Sequence, residues 1–161
     1  MNISDSKKNK ILVLGIGNYL MGDEGIGVHI VQQMEKQTLP PYLDVLDGGT
    51  GGFFLMHVFD EYGTIIMVDA TMDGKEGGTL NIIRPRFAAD YPKTLSVHDV
   101  GLKDMIEALY LQDTLPDIYL LTVSIEAMQP MTVGMTPKVE RAVPIAIEKI
   151  LDLANRLHNN R

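Results

Sequence analysis

Gly15 to Gly27 reads GIGNYLMGDEGIG, and the rest of the chain is organised around it. The apolar run Ile11-Leu12-Val13-Leu14 precedes it and a helical pattern follows. A strand, a glycine-rich turn and a helix start, in that order, open an α/β domain. Such turns usually cradle a phosphate on the helix N-terminus. Here the helix start carries Asp23 and Glu24 instead. Two carboxylates at that point repel an anion and attract a cation. Asp23 is placed to cap the helix, and Glu24 sits in the first turn, where the dipole favours an acid. Ile26, Ile30 and Met34 recur every four residues with Val31 beside them, so that face packs inward. His29 falls off this stripe, on the solvent side.

Moving outward, Tyr42 to Asp47 reads as a second strand and runs into DGGTGG, Asp47 to Gly52. That cluster calls for backbone freedom or for close approach of another backbone. Phe53 to Phe59 is a short apolar helix. Thr64-Ile65-Ile66-Met67-Val68 is the strongest strand signal and ends on Asp69. Gly77-Gly78 turns the chain into a strand around Thr79 to Ile83, and Arg84 to Thr94 reads as a loop. Ser96-Val97-His98-Asp99 precedes an amphipathic helix with Leu102, Met105, Ile106, Leu109 and Tyr110, which puts His98 at or near its N-terminus. Ile118 to Val123 is the last strand. A loop with Met128, Met131 and Met135 follows. Thr136-Pro137 opens the final helix, with proline at the first helical position. Pro144 lies inside that helix and is expected to kink it.

Strands alternating with helices predict an α/β fold with a largely parallel sheet covered on both faces. Ligands of such sheets bind at the carboxyl edge. The whole chain, 1–161, reads as a single domain, with loose tails at 1–10 and 159–161.

Composition narrows the function. The 161 residues carry a net charge of −7 without a basic cluster, which argues against nucleic acid and anionic membrane surfaces. The absence of cysteine excludes disulfides, thiolate metal sites and a cysteine nucleophile. No apolar run approaches the ~20 residues of a membrane span. Residues 1–10 lack the apolar core of a signal peptide. The expectation is a soluble, cytoplasmic protein.

Three groups converge on the carboxyl edge in this reading: Glu24 after the first strand, Asp69 at the end of the third, and His98 before a later helix. Two carboxylates and an imidazole suit a borderline divalent metal. Each has an ordinary structural reading too. Glu24 can simply complement the helix dipole, Asp69 can be a turn residue, and His98 a capping or buried hydrogen-bonded histidine. His29, His57 and His158 are weaker candidates. The methionine loop can pack on the core or contact a partner. A nucleotide-binding alternative rests on Gly15 and Gly17, the first two glycines of a dinucleotide fingerprint, with Asp47 available for a ribose hydroxyl. Leu20 occupies the third glycine position, there is no Walker lysine, and the acidic helix start opposes it.

Taken together, GIGNYLMGDEGIGV, DGGTGG, the VDA of Val68 to Ala70 and the SVHDVGL of Ser96 to Leu102 resemble the hydrogenase maturation endopeptidases, from Ile11 to about Leu153. The resemblance implies a three-layer α/β/α sandwich with a mostly parallel sheet of about five strands. It implies an endopeptidase that removes the C-terminal extension of a nickel–iron hydrogenase large-subunit precursor after nickel insertion. The family's nickel-recognising residues map onto Glu24, Asp69 and His98, which would also be the catalytic residues. The expected cofactor is nickel, supplied by the precursor. The expected partner is that nickel-loaded precursor, met by a monomer, with no nucleic acid and no membrane. The chain has no HExxH helix and no serine in a nucleophile-elbow sequence, which fits a protease that uses its substrate's metal. A non-catalytic metal- or nucleotide-binding module on the same scaffold is the other reading.

Overall fold

The computed structural model describes residues 3–92, 102–112 and 115–161. Five strands, β1 (Ile11–Ile16), β2 (Leu43–Gly49), β3 (Thr64–Thr71), β4 (Leu80–Ile83) and β5 (Asp117–Ser124), form one sheet in the order β2-β1-β3-β5-β4. All neighbours pair parallel except β4, which runs antiparallel to β5. Every residue of β1 and β3 is buried, as central parallel strands covered on both faces require.

Side chains alternate across a strand, and the alternation sorts the core into two clusters. Ile11, Val13, Ile66, Val68, Leu121 and Val123 face α2 (Ile26–Glu35) and α5 (Pro137–Asn159). Leu12, Leu14, Ile65, Met67, Ile118 and Leu120 face α3 (Met56–Glu61) and α4 (Leu102–Tyr110). The result is the expected three-layer α/β/α sandwich. The stripe Ile26, Ile30, Val31 and Met34 is fully buried, as its spacing predicts.

The opening glycines do a different job from phosphate binding. A Cβ on Gly27 would lie 2.3 Å from the carbonyl oxygens of both Ile16 and Val68. A Cβ on Gly15 would lie 2.3 Å from the carbonyl oxygen of Gly27. These two positions let the backbone of α2 rest directly on β1 and β3.

Several local expectations shift. A 3-10 turn, Gly22–Gly25, precedes α2, whose N-cap is Gly25 without a side-chain cap, so Asp23 does not cap the helix. Strand β3 continues to Thr71 because β5 runs alongside to Ser124, and Asp69 therefore sits inside the strand, opposite Thr122. The apolar stretch 53–59 divides into a 3-10 turn, Gly52–Leu55, and α3. The N-terminal segment read as a loose tail contains helix α1 (Ile3–Lys8), and Lys7 pairs with Glu61 at 2.6 Å. At the other end Arg161 donates to the Thr64 hydroxyl at 2.8 Å and to the Asn9 carbonyl. Helix α5 runs on through Pro144 to Asn159. Among the described residues no helix is long and apolar enough to cross a membrane.

Candidate active site

Strands β1 and β3 lie side by side at the centre of the sheet. From β1 the chain passes through α2 to β2 on one side, and then returns through α3 to β3 on the other. The connections thus diverge at the carboxyl ends of β1 and β3, the point where parallel α/β sheets bind their ligands. Glu24 lies in the turn after β1, and that turn packs against β3. Asp69 lies near the carboxyl end of β3 and by alternation shares the face of Ile65 and Met67.

Both carboxylates are withdrawn from water: Glu24 is 2 % exposed and Asp69 0 %. A buried carboxylate is costly unless hydrogen-bonded. Glu24 Oε2 accepts the Asn18 N–H at 2.8 Å, and Asp69 Oδ1 accepts the Ala70 N–H at 2.8 Å. Two buried acids thus lie on elements that pack against each other, Glu24 in the turn after β1 and Asp69 within β3.

Asp23, the other acid of the motif, has its carboxylate committed elsewhere. Its oxygens accept the Thr136 N–H and the Thr136 hydroxyl, each at 2.7 Å, and Gln129 Nε2 at 3.4 Å. Gln129 Oε1 in turn accepts the Asp23 N–H at 2.8 Å. Asp23 is a clasp between the Glu24 turn and the loop before α5. Sequence alone gave no sign of it, because Thr136 lies 113 positions away.

The DGGTGG segment adjoins the same turn: Gly17 N–H donates to the Gly49 carbonyl at 2.9 Å. Gly49 and Gly52 hold left-handed φ angles of 51° and 46°. Asp47 steadies the turn, accepting the Gly49 N–H at 3.0 Å on one oxygen and Gln32 Nε2 at 3.1 Å on the other. With both oxygens engaged, Asp47 is poorly placed to serve a ribose, which weakens the nucleotide reading. Space around Gly52 is open, so Gly52→Ala is strained only by its φ. We expect that change to cost about 1 kcal/mol in a thermal melt and to slow substrate cleavage more than this small loss of folded protein explains.

His98 lies outside the described residues. It precedes α4 by four positions, and α4 covers the sheet face that Asp69 shares. Among the described residues no group of three His, Asp or Glu side chains could hold a metal, so the candidate trio is complete only with His98. The other histidines have structural surroundings. His29 is half-buried rather than on the solvent side, with its ring 4.6 Å from that of Tyr19. Burial lowers its pKa, opposed by the Val133 backbone and the charge of Glu140. His158 stacks on Tyr42 at 3.9 Å, and His57 is exposed on α3. The three methionines of the loop have different surroundings. Met128 and Met135 pack on the α2/α5 core, while Met131 is 88 % exposed.

A family model described as hydrogenase maturation protease matches residues 28–153. The chain belongs to the hydrogenase maturation protease family. The hydrogenase 2 maturation protease of Escherichia coli K12 is 38 % identical over 146 residues, covering 88 % of each chain. A putative hydrogenase maturation protease of Methanocaldococcus jannaschii is 33 % identical over 152 residues, covering 90 % of this chain and 96 % of its own. In three dimensions the hydrogenase maturating endopeptidase HybD of Escherichia coli superposes with a TM-score of 0.81 at 36 % identity, over 91 % of this chain and 93 % of that one. A hydrogenase 2 maturation peptidase from a Thaumarchaeota archaeon superposes with a TM-score of 0.72 at 25 % identity, over 91 % and 98 %. Within this maturation protease, the span matched by the family model includes Asp69 and His98 and begins just after Glu24.

Proposed function

We propose that this maturation protease removes the C-terminal extension of a nickel–iron hydrogenase large-subunit precursor after nickel insertion, and that Glu24, Asp69 and His98 receive the nickel the precursor carries. The observation that carries the reading is the pair of buried carboxylates, Glu24 and Asp69, at the divergence of β1 and β3. Hard and borderline cations seek such oxygen donors, and an imidazole completes a set suited to nickel. Nickel is here part of the substrate, not a resident of the enzyme.

The chemistry follows from what the chain holds and what it lacks. With no cysteine and no HExxH sequence, it offers neither a thiolate nucleophile nor the usual zinc-protease helix. The precursor's nickel would polarise the scissile carbonyl or acidify a water. Glu24 and Asp69 would ligate it, or one of them would take the proton from the attacking water. Substitution separates these roles. As a ligand, Glu24 replaced by Gln loses precursor binding and cleavage together. As a general base, the same variant binds the loaded precursor and does not cut it. A pull-down run beside a cleavage assay distinguishes the two.

The isolated protein is expected to bind nickel weakly, because it offers three ligands and no thiolate, and the precursor's own ligands complete the coordination. Calorimetry should show no tight, stoichiometric nickel binding. Tight binding by the free protein would mean a resident-metal enzyme instead.

A further inference from the structure

We propose that Leu20, Met131 and Val133, with Tyr19, form the rim on which this protease docks an apolar strip of the precursor's surface beside its C-terminal extension. The inference rests on the function proposed above and names the surface that selects the substrate.

Large apolar side chains left in water contribute little to folding. Among the described residues those exposed are Tyr19 at 36 %, Leu20 at 52 %, Phe87 at 68 %, Leu111 at 88 %, Met131 at 88 %, Val133 at 46 % and Ile145 at 51 %. Four of these seven fall in two short segments, 19–20 and 131–133, that are far apart in sequence and bonded to each other. Thr132 N–H donates to the Leu20 carbonyl at 3.0 Å, and Gly22 N–H donates to the Thr132 carbonyl at 2.8 Å. A bridge joins Met21 to Thr132. The Asp23 carboxylate anchors the same loop at Gln129 and Thr136. Gly22 permits this contact, since a Cβ there would lie 2.2 Å from Gln129 Oε1.

The rim is continuous with the candidate site through a chain of hydrogen bonds. Glu24 Oε2 accepts the Asn18 N–H, Asn18 Oδ1 accepts the Leu20 N–H at 3.0 Å, and the Leu20 carbonyl accepts from Thr132. A protein seated on Leu20 and Met131 therefore lies against the turn that holds Glu24. Met131 also has a φ of 55°, the one left-handed non-glycine angle among the described residues. Asparagine tolerates that conformation better than methionine, so the fold gains nothing local from methionine there. Strain of this kind gathers at functional sites. The occupant has to be apolar at the contact, because Leu20, Met131 and Val133 offer no charge to pair.

The test uses the full-length double variant Leu20→Ser, Met131→Asn, which makes the two most exposed side chains of the rim polar without altering charge. Affinity for the nickel-loaded precursor is measured by biolayer interferometry, and turnover at saturating precursor by mass spectrometry. The expected result is a Kd weaker by about tenfold or more, saturated turnover within about twofold of wild type, and an unchanged Tm. Ile145→Ser, an exposed apolar position on α5, should leave Kd unchanged. An unchanged Kd in the double variant would overturn the rim, even though cleavage by the wild type upheld the proposed function. A fall in saturated turnover with Kd intact would also overturn it. If the wild type bound but did not cleave the precursor, the proposed function would fail, and the Kd comparison would still judge the rim.

Discussion

Asp69→Asn is expected to cut precursor cleavage by on the order of 10³-fold or more while the protein stays folded. Asparagine keeps the shape of the side chain inside β3 and can still accept the Ala70 N–H. It removes the negative charge that a cation would need. Because Asp69 is 0 % exposed in the middle layer, alanine there would leave a cavity and confuse stability with function, so the isosteric change is the informative one. A thermal melt within a few degrees of wild type, together with lost cleavage, places the residue in the chemistry. Full cleavage by Asp69→Asn would remove Asp69 from it. His98→Ala should behave in the same way toward the loaded precursor.

The second large effect concerns folding. Gly27→Ala is expected to destabilise the protein by about 3 kcal/mol and to lower Tm by roughly 10 °C. The added methyl would collide with the backbone carbonyls of Ile16 and Val68, neither of which can rotate away as a side chain can. Either α2 lifts from the sheet or the central strands separate, and both disturb the buried stripe of Ile26, Ile30 and Met34. Gly52→Ala, where nothing lies within 4 Å of the added carbon, is the internal comparison and should cost far less. Equal melts for the two variants would mean that the opening glycines are not packing positions.

This contrast shows where sequence reasoning reached and where it stopped. Apolar runs such as 11–14 and 64–68 announce central strands because nothing polar interrupts them, and the four-residue recurrence of Ile26, Ile30 and Met34 fixes the inner face of α2. The point of divergence itself follows from strand order, which alternation of strands and helices predicts only in outline. Sequence spacing could not divide the labour of Asp23 and Glu24. Both are acids at one turn, and what separates them is a loop more than a hundred positions downstream that claims Asp23. The same loop shows why Met131 and its neighbours could not be assigned from composition. Met128 and Met135 reach the core while Met131 stands in solvent, and only the bonds to Leu20 and Gly22 fix which side faces out. Asp69 was legible as a candidate but not as an interior strand residue, because its burial depends on β5 extending beside it. The position of His98 before α4 is legible, and its placement falls outside the described residues.

The central claim is that the substrate's own nickel licenses the cut. It is tested most directly by incubating the purified protein with two preparations of the same hydrogenase large-subunit precursor, one nickel-loaded and one metal-free, and measuring the mass of each product. The account predicts a single C-terminal peptide released from the loaded precursor and none from the metal-free one. Equal cleavage of both preparations would contradict it.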